Sequence, residues 1–254
     1  MESFREKVRD GAALVGSFVK TGSHQVIEVL GAAGLDFAVV DAEHAPFDAA
    51  TLDRMALASR AARLPCLLRV PELAAAPIGQ ALDLGFAGVV VPHVAGADAA
   101  KQVIDAAKYA GRQRGYSPST RAGGYGTRAS YFAAADKESS LWIQIEDEPA
   151  LSRLDEIAAV EEIDCLFIGR ADLAVSLGVD GPRHPRVADA LKAIAEAGKR
   201  HSRRVGIFIP DTTEISELAA LGITIFVCGT DQSYMLAEGR RIKKETATAL
   251  ERKA

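Results

Sequence analysis

Four short runs in this sequence place acid, base and cation side chains at the ends of apolar segments: Asp41-Ala42-Glu43-His44, Arg69, Gln144-Ile145-Glu146 and Gly169-Arg170-Ala171-Asp172. Each follows residues of the kind that build a buried strand, so each stands where such a strand would come to the surface. Brought together, they supply a base, a cation and two carboxylates, Glu146 and Asp172. Two carboxylates in a partly dehydrated cleft repel strongly unless something positive compensates them. A divalent cation does so, and oxygen-only ligation with few protein groups suits Mg2+, with Mn2+ or Co2+ able to take the same hard site. The alternative for either acid is a surface carboxylate that opens a helix and favours its dipole. Imidazole is the side chain suited to proton exchange near neutrality, so His44 is either an acid/base group or a satisfied histidine at a helix entry.

The elements that must position these groups follow from periodicity. Apolar runs at 13–19, 37–41, 66–70, 88–91, 141–146, 165–169, 205–209 and 223–228 alternate with amphipathic stretches at 25–33, 49–62, 78–84, 97–109, 150–160, 187–199, 215–221 and 234–253. Continuous apolar runs suit parallel strands buried on both faces, and the amphipathic stretches suit their helical crossovers. Eight of each predict an α/β chain forming a single (β/α)8 TIM barrel domain over residues 1–254. An open doubly wound sheet has a similar rhythm, but no GxGxxG follows the first run. In a barrel, reactive groups belong at the C-terminal strand ends, where the loops converge on one mouth. One segment breaks the rhythm: 111–128, GRQRGYSPSTRAGGYGTR, has the composition of a disordered connection or an ordered lid.

Composition narrows the function classes. The 254 residues, 48% of them apolar, suffice for one large core. Thirty basic against 34 acidic residues, net charge −4 and no basic block, exclude a nucleic-acid footprint. The start lacks a secretory signal's apolar core, and no stretch approaches the roughly 18 apolar residues of a membrane span. The expectation is a cytoplasmic protein without a membrane partner. Cys66, Cys165 and Cys228 stand far apart in apolar runs, as buried thiols rather than a disulfide frame or zinc site.

In order and spacing, the segments VVDAEHAPFD, LLRVPE, LDLGFAGVVVPHV, RGYSPSTRAGGYG, IQIED and DCLFIGRADLAVSLG resemble the HpcH/HpaI aldolase family of class II pyruvate aldolases, from about Gly16 to Asp231. The resemblance implies a metal-dependent lyase that reversibly cleaves a 4-hydroxy-2-oxo acid, through an enolate, into pyruvate or hydroxypyruvate and an aldehyde. On that likeness Glu146 and Asp172 match the metal ligands. Arg69 matches the arginine on the keto acid's oxygens, and His44 and Asp41 match the acid/base pair. Gln144 matches a residue that orients metal-bound water, and the backbone of Gly169, Ala171 and Asp172 matches the cradle for the pyruvate carboxylate. The likeness also implies a homohexamer, a trimer of dimers, with the C-terminal helix exchanged between partners.

No lysine ends any of the eight runs, whereas an imine-forming aldolase needs one in an apolar pocket, so metal-enolate chemistry is preferred. The same chemistry serves oxaloacetate decarboxylation or citrate-lyase-like cleavage, against which the D-x-E-H run of Asp41 to His44 counts. A barrel that binds a keto acid without turnover is disfavoured by the full set of catalytic positions. Arg170 stands where the family commonly has proline and is expected to select an acidic or polyhydroxylated acceptor. The 111–128 segment resembles that of sugar-acid aldolases, as a lid for acceptor choice. His93 is expected to touch substrate, cap a helix or pack. Asp83 is expected to support His44 or to lie on a helix surface. His24, His184 and His201 are expected at the surface or at helix ends.

Overall fold

The computed structural model describes residues 3–110 and 113–251; Gly111 and Arg112 of the expected lid, and residues 252–253 of the expected last helix, lie outside them. Strands β1 (Leu14–Val19), β2 (Phe37–Asp41), β3 (Cys66–Arg69), β4 (Gly88–Val91), β5 (Ser140–Ile145), β6 (Cys165–Ile168), β7 (Arg204–Ile209) and β8 (Ile225–Thr230) pair in parallel in chain order. β8 returns to β1 and closes the barrel. The helices are α1 (Phe4–Asp10), α2 (Gln25–Ala32), α3 (Ala49–Ala62), α4 (Ala75–Leu84), α5 (Ala97–Ala107), α6 (Tyr131–Glu138), α7 (Glu148–Leu151), α8 (Leu154–Ala158), α9 (Arg170–Ser176), α10 (Pro185–Arg200), α11 (Ile215–Ala220) and α12 (Asp231–Glu251).

Residues two apart on a strand share a face, and the buried side chains divide accordingly. Val19, Val40, Leu68, Val91, Ile145 and Ile168 join the core between strands and helices. Phe18, Phe37, Val39, Leu67, Val90, Trp142, Phe167 and Val227 form a separate core inside the barrel. Its rings interlock, with Phe37 and Trp142 centroids 5.4 Å apart edge-on. Truncating Phe37 to alanine would cost about 3–5 kcal/mol. The same alternation carries upward to the mouth: Asp41 follows Val39, Arg69 follows Leu67, and Gln144 and Glu146 follow Trp142.

The lower end is stoppered by α1, which the sequence reading leaves unassigned. A reciprocal Ser3–Glu6 capping box starts this helix. Phe4 packs on Phe37, and Arg5 Nε donates 2.8 Å to the buried Asp164.

Three further differences bear on the site. The sixth strand stops one residue before the end of its apolar run: β6 ends at Ile168, Gly169 is the N-cap, and Asp172 sits in the first turn of α9. Its helix-opening role and its place near the mouth therefore coincide. The last strand begins two residues later than its apolar run, since Ile223 packs into the outer core before pairing starts.

The 113–130 connection is no lid over its own barrel's mouth. It follows α5 and leads through α6 to β5, so it starts from the lower rim and packs on the outer flank of α3 and α4. Arg114 Nη2 donates 2.6 Å to Asp83, Arg121 pairs with Asp53, and Tyr116 of the connection packs with Tyr109, Tyr131 and Phe132 in one aromatic cluster. Asp83 thus serves this connection and not His44.

α12 leaves the barrel with only Asp231 buried, exposing Met235, Leu236, Ile242 and Leu250. Among the described residues no helix is long and apolar enough to cross a membrane. All three cysteines are free and buried, and burial pushes the Cys66 thiol up to about 12.

Candidate active site

β2 and β3 run in register with Asp41 opposite Arg69. Both face inward, and the pair closes through two parallel bonds: Arg69 Nε donates to Asp41 Oδ1 at 2.9 Å and Nη2 to Oδ2 at 2.7 Å. Phe18 lies beneath the guanidinium, with its ring centroid 4.6 Å from Cζ. Asp41 also accepts the backbone N–H of His44 at 3.2 Å and an ion pair from Lys20 Nζ at 3.1 Å. Burial pushes this carboxyl up, but the Arg69 guanidinium, the His44 N–H and Lys20 outweigh it and hold it below the usual carboxylate range. Asp41 is therefore a fixed anion, fully enclosed by donors. The His44 ring does not meet it. That ring is half exposed, with Nε2 3.7 Å from Glu43 Oε2. The same Glu43 oxygen lies 3.2 Å from Arg69 Nη1 but outside hydrogen-bonding geometry, so charge alone holds it there.

No lysine ends a strand, as expected, but Lys20 stands one residue beyond β1 and reaches the mouth. β1 ends at Val19, and the inward alternation of Leu14, Gly16 and Phe18 continues to Lys20, one residue beyond the apolar run. That two-residue period was the signal available in the sequence. The lysine's partner is a buried carboxylate, not the apolar wall or second cation that makes a lysine amine nucleophilic. Its backbone is fixed as well: the buried Asp231 accepts the N–H groups of Lys20 at 2.9 Å and Thr21 at 3.0 Å.

On the far side of the mouth Glu146 follows β5, its side chain 1% exposed. Oε1 accepts the His93 backbone N–H at 2.9 Å, and Oε2 accepts Gln144 Nε2. Burial raises this carboxyl above the ordinary glutamate range, and the negative charge of Asp172 adds to the rise against the His93 and Gln144 donors. Asp172 is thus near enough to be felt electrostatically. Gln144 Oε1 is buried without a partner. Gly169, beside Glu146, lacks a side chain where a Cβ would come within 2.6 Å of Glu146 Oε2. A buried carboxyl that resists ionisation, an orphaned amide oxygen and a cleared approach fit a hard divalent cation. Among the described residues no group of three or more His, Cys, Asp or Glu side chains is arranged to hold a metal, so protein ligation would stop at two carboxylates.

His93 adopts φ +55 at the end of β4 and exposes much of its ring. Burial lowers its pKa, but Glu146, Asp147 at 3.2 Å and Glu43 outweigh that and raise it. Arg170 Nη2 pairs with Glu214 at 2.8 Å and donates to Phe208 O at 3.3 Å. Ala171 is exposed in the first turn of α9. His24, His184 and His201 stand at helix ends, as expected. A cavity of about 640 Å3 lies at the lower rim, lined by Arg60, Arg114 and Arg121, and contains none of the mouth residues.

The family described as HpcH/HpaI aldolase/citrate lyase matches residues 14–237. The chain is 34% identical over 228 residues to the 5-keto-4-deoxy-D-glucarate aldolase of Shigella boydii serotype 18, covering 87% of this chain and 89% of the relative. It is 36% identical over 206 residues to the enzyme of that name from Klebsiella pneumoniae, covering 80% of each. The crystal structure of an HpcH/HpaI aldolase/citrate lyase family protein from Burkholderia cenocepacia J2315 superposes with a TM-score of 0.91 at 31% identity, over 96% of this chain and 98% of that one. With a match across nearly the whole barrel and relatives at these identities, the chain belongs to the HpcH/HpaI aldolase/citrate lyase family and is a carbon–carbon lyase.

Proposed function

We propose that the chain reversibly cleaves a 4-hydroxy-2-oxo acid into pyruvate, or hydroxypyruvate, and an aldehyde, with Glu146 and Asp172 holding a divalent cation, Mg2+, Mn2+ or Co2+. The observation that carries this reading is the buried Glu146 carboxyl, raised first by burial and further by the negative charge of Asp172, beside the side-chain-free Gly169. A cation held there would supply positive charge that stabilises the negative charge developing on the keto acid. The relatives' named substrate, a keto-deoxy sugar acid, falls within the proposed class.

In cleavage, His44 accepts the C4 hydroxyl proton as the C3–C4 bond breaks, and its exposed ring suits that exchange. The electron pair of the broken bond forms the C2–C3 double bond, and the C2 oxygen takes up negative charge. Arg69, with N–H groups left over from Asp41, donates to that oxygen. Asp41 keeps the guanidinium oriented and carries no proton itself. The backbone of Gly169, Ala171 and Asp172 at the start of α9 receives the pyruvate carboxylate, and Gln144 orders water beside Glu146. A proton returned to C3 completes pyruvate.

The exposed apolar residues of α12 support assembly as a homo-oligomer, a trimer of dimers exchanging this helix. The three reduced cysteines suit a cytoplasmic setting. Incubation of pyruvate, glycolaldehyde and Mn2+ with and without chelator tests the reading. Aldol product that disappears with chelator is expected. Oxaloacetate decarboxylation without aldol product would favour the decarboxylase, and binding without turnover would leave a keto-acid-binding barrel.

A further inference from the structure

The cations of the mouth are unequally occupied. Arg69 is nearly buried, with Nε and Nη2 on Asp41 and Nη1 against Glu43. Arg170 is committed to Glu214 and Phe208 O. The His44 ring faces Glu43, and the His93 ring stands among Glu43, Glu146 and Asp147. Lys20 differs. Its side chain is 27% exposed, and Asp41 is its one partner among the described residues. Asp41 is already gripped by the Arg69 fork and the His44 N–H, so Lys20 is not needed to satisfy it.

An ammonium carries three donors, of which one suffices for Asp41 Oδ2 at 3.1 Å. The rest lie at the open end of β1, across the barrel from Glu146 on β5. Lys20 is also held in place: Asp231, buried at the start of α12, fixes the backbone N–H of Lys20 and Thr21. A stem fixed at its base and an ammonium with spare donors make a receptor for an anionic group. Glu43, Glu146, Asp147 and Asp172 add negative charge around it, and the other cations of the mouth already face carboxylates, so Lys20 is the cation left freest to meet an anionic end of a substrate.

We propose that Lys20 receives the distal carboxylate of a dicarboxylic 4-hydroxy-2-oxo acid, making the released aldehyde a carboxylated one; this rests on the retro-aldol reading above. Lys20 is then a specificity-determining residue for the aldehyde half, while the pyruvate half sits toward Glu146, Asp172 and Arg69.

The test is equilibrium binding, with Mn2+ present, of two non-reacting probes that differ only at the far end. They are 2-oxoglutarate, which ends in a carboxylate, and 2-oxopentanoate, which ends in a methyl. The readout is the ratio of the two Kd values within each protein, so general weakening from a disturbed Asp41 cancels. Wild type is expected to favour 2-oxoglutarate by about tenfold or more, Lys20→Met to bring the ratio near one, and Lys20→Arg to keep most of it. Absence of a preference in wild type, or the same ratio in Lys20→Met, overturns the assignment. The retro-aldol reading fails separately: wild type that cannot cleave 4-hydroxy-2-oxoglutarate, yet shows the Lys20-dependent ratio, refutes the reaction and leaves Lys20 as a carboxylate receptor.

Discussion

The Glu146 carboxylate occupies the space that a side chain at Gly169 would need: a Cβ built there lies 2.6 Å from Glu146 Oε2 and 3.0 Å from Gln144 Nε2. Gly169 has φ −93, which any residue adopts, so the constraint is contact and not backbone strain. Gly169→Ala is therefore expected to keep β6 and α9 while pushing the carboxylate aside. Mn2+ affinity should fall about 10- to 100-fold, read from free-ion electron paramagnetic resonance. Unaltered affinity would contradict the placement of the cation.

Arg69→Lys retains the charge but loses the planar fork that fits Asp41. With the developing negative charge deprived of an oriented donor, aldol kcat/KM should drop about 100- to 1000-fold. Steady-state kinetics with pyruvate and one aldehyde check this, and a fall under threefold would remove Arg69 from the reaction.

Asp41→Asn leaves Arg69 with a neutral partner where it had a buried counter-ion, a change expected to cost about 3–5 kcal/mol of stability. The folded Asp41 carboxyl lies below its ordinary value, so its contribution is complete above the unfolded value of about 3.9 and is lost as pH falls through the folded one. Denaturant unfolding at neutral pH and near pH 3 should show the difference between wild type and variant shrinking on acidification. A difference that grows in acid would have the wrong sign.

Glu146 is the opposite case. Its carboxyl is raised by burial and by Asp172, so ionising it weakens the metal-free fold above the ordinary glutamate value of about 4.3. Glu146→Gln keeps an acceptor for the His93 N–H and removes the charge. Metal-free Glu146→Gln should melt a few degrees higher than wild type at pH 7, at about 2–4 °C per kcal/mol, while losing activity. A lower Tm would show that the carboxylate stabilises the fold.

α12 exposes Ile242 and Leu250 along a helix with only its first residue buried. Sedimentation should find wild type as a multiple of the 26.9 kDa chain, and a chain ending at residue 237 as a smaller species. A wild-type monomer would refute the exchanged helix.

The barrel was legible because continuous apolar runs, alternating with amphipathic stretches, leave parallel strands few other arrangements. Asp41, Arg69, Gln144 and Glu146 were legible at the mouth because each continues the inward two-residue period of its strand. Lys20 obeys that period too, but lies one residue past the last apolar side chain, where a reading by hydrophobicity stops. The 111–128 segment misled for another reason. Its composition fits a lid, whereas the place of its described residues, 113–128, on a helix-to-strand connection puts them on the lower rim, since only strand-to-helix connections reach the mouth. α1 is seven residues long, too short for periodicity to mark, and only its capping box signals it.

Joint custody of the cation by Glu146 and Asp172 is tested most directly by counting Mn2+ bound per chain in wild type, Glu146→Gln and Asp172→Asn. One ion per chain in wild type, with affinity reduced at least about tenfold in each variant, is the predicted result. Binding as tight in both variants as in wild type would contradict it.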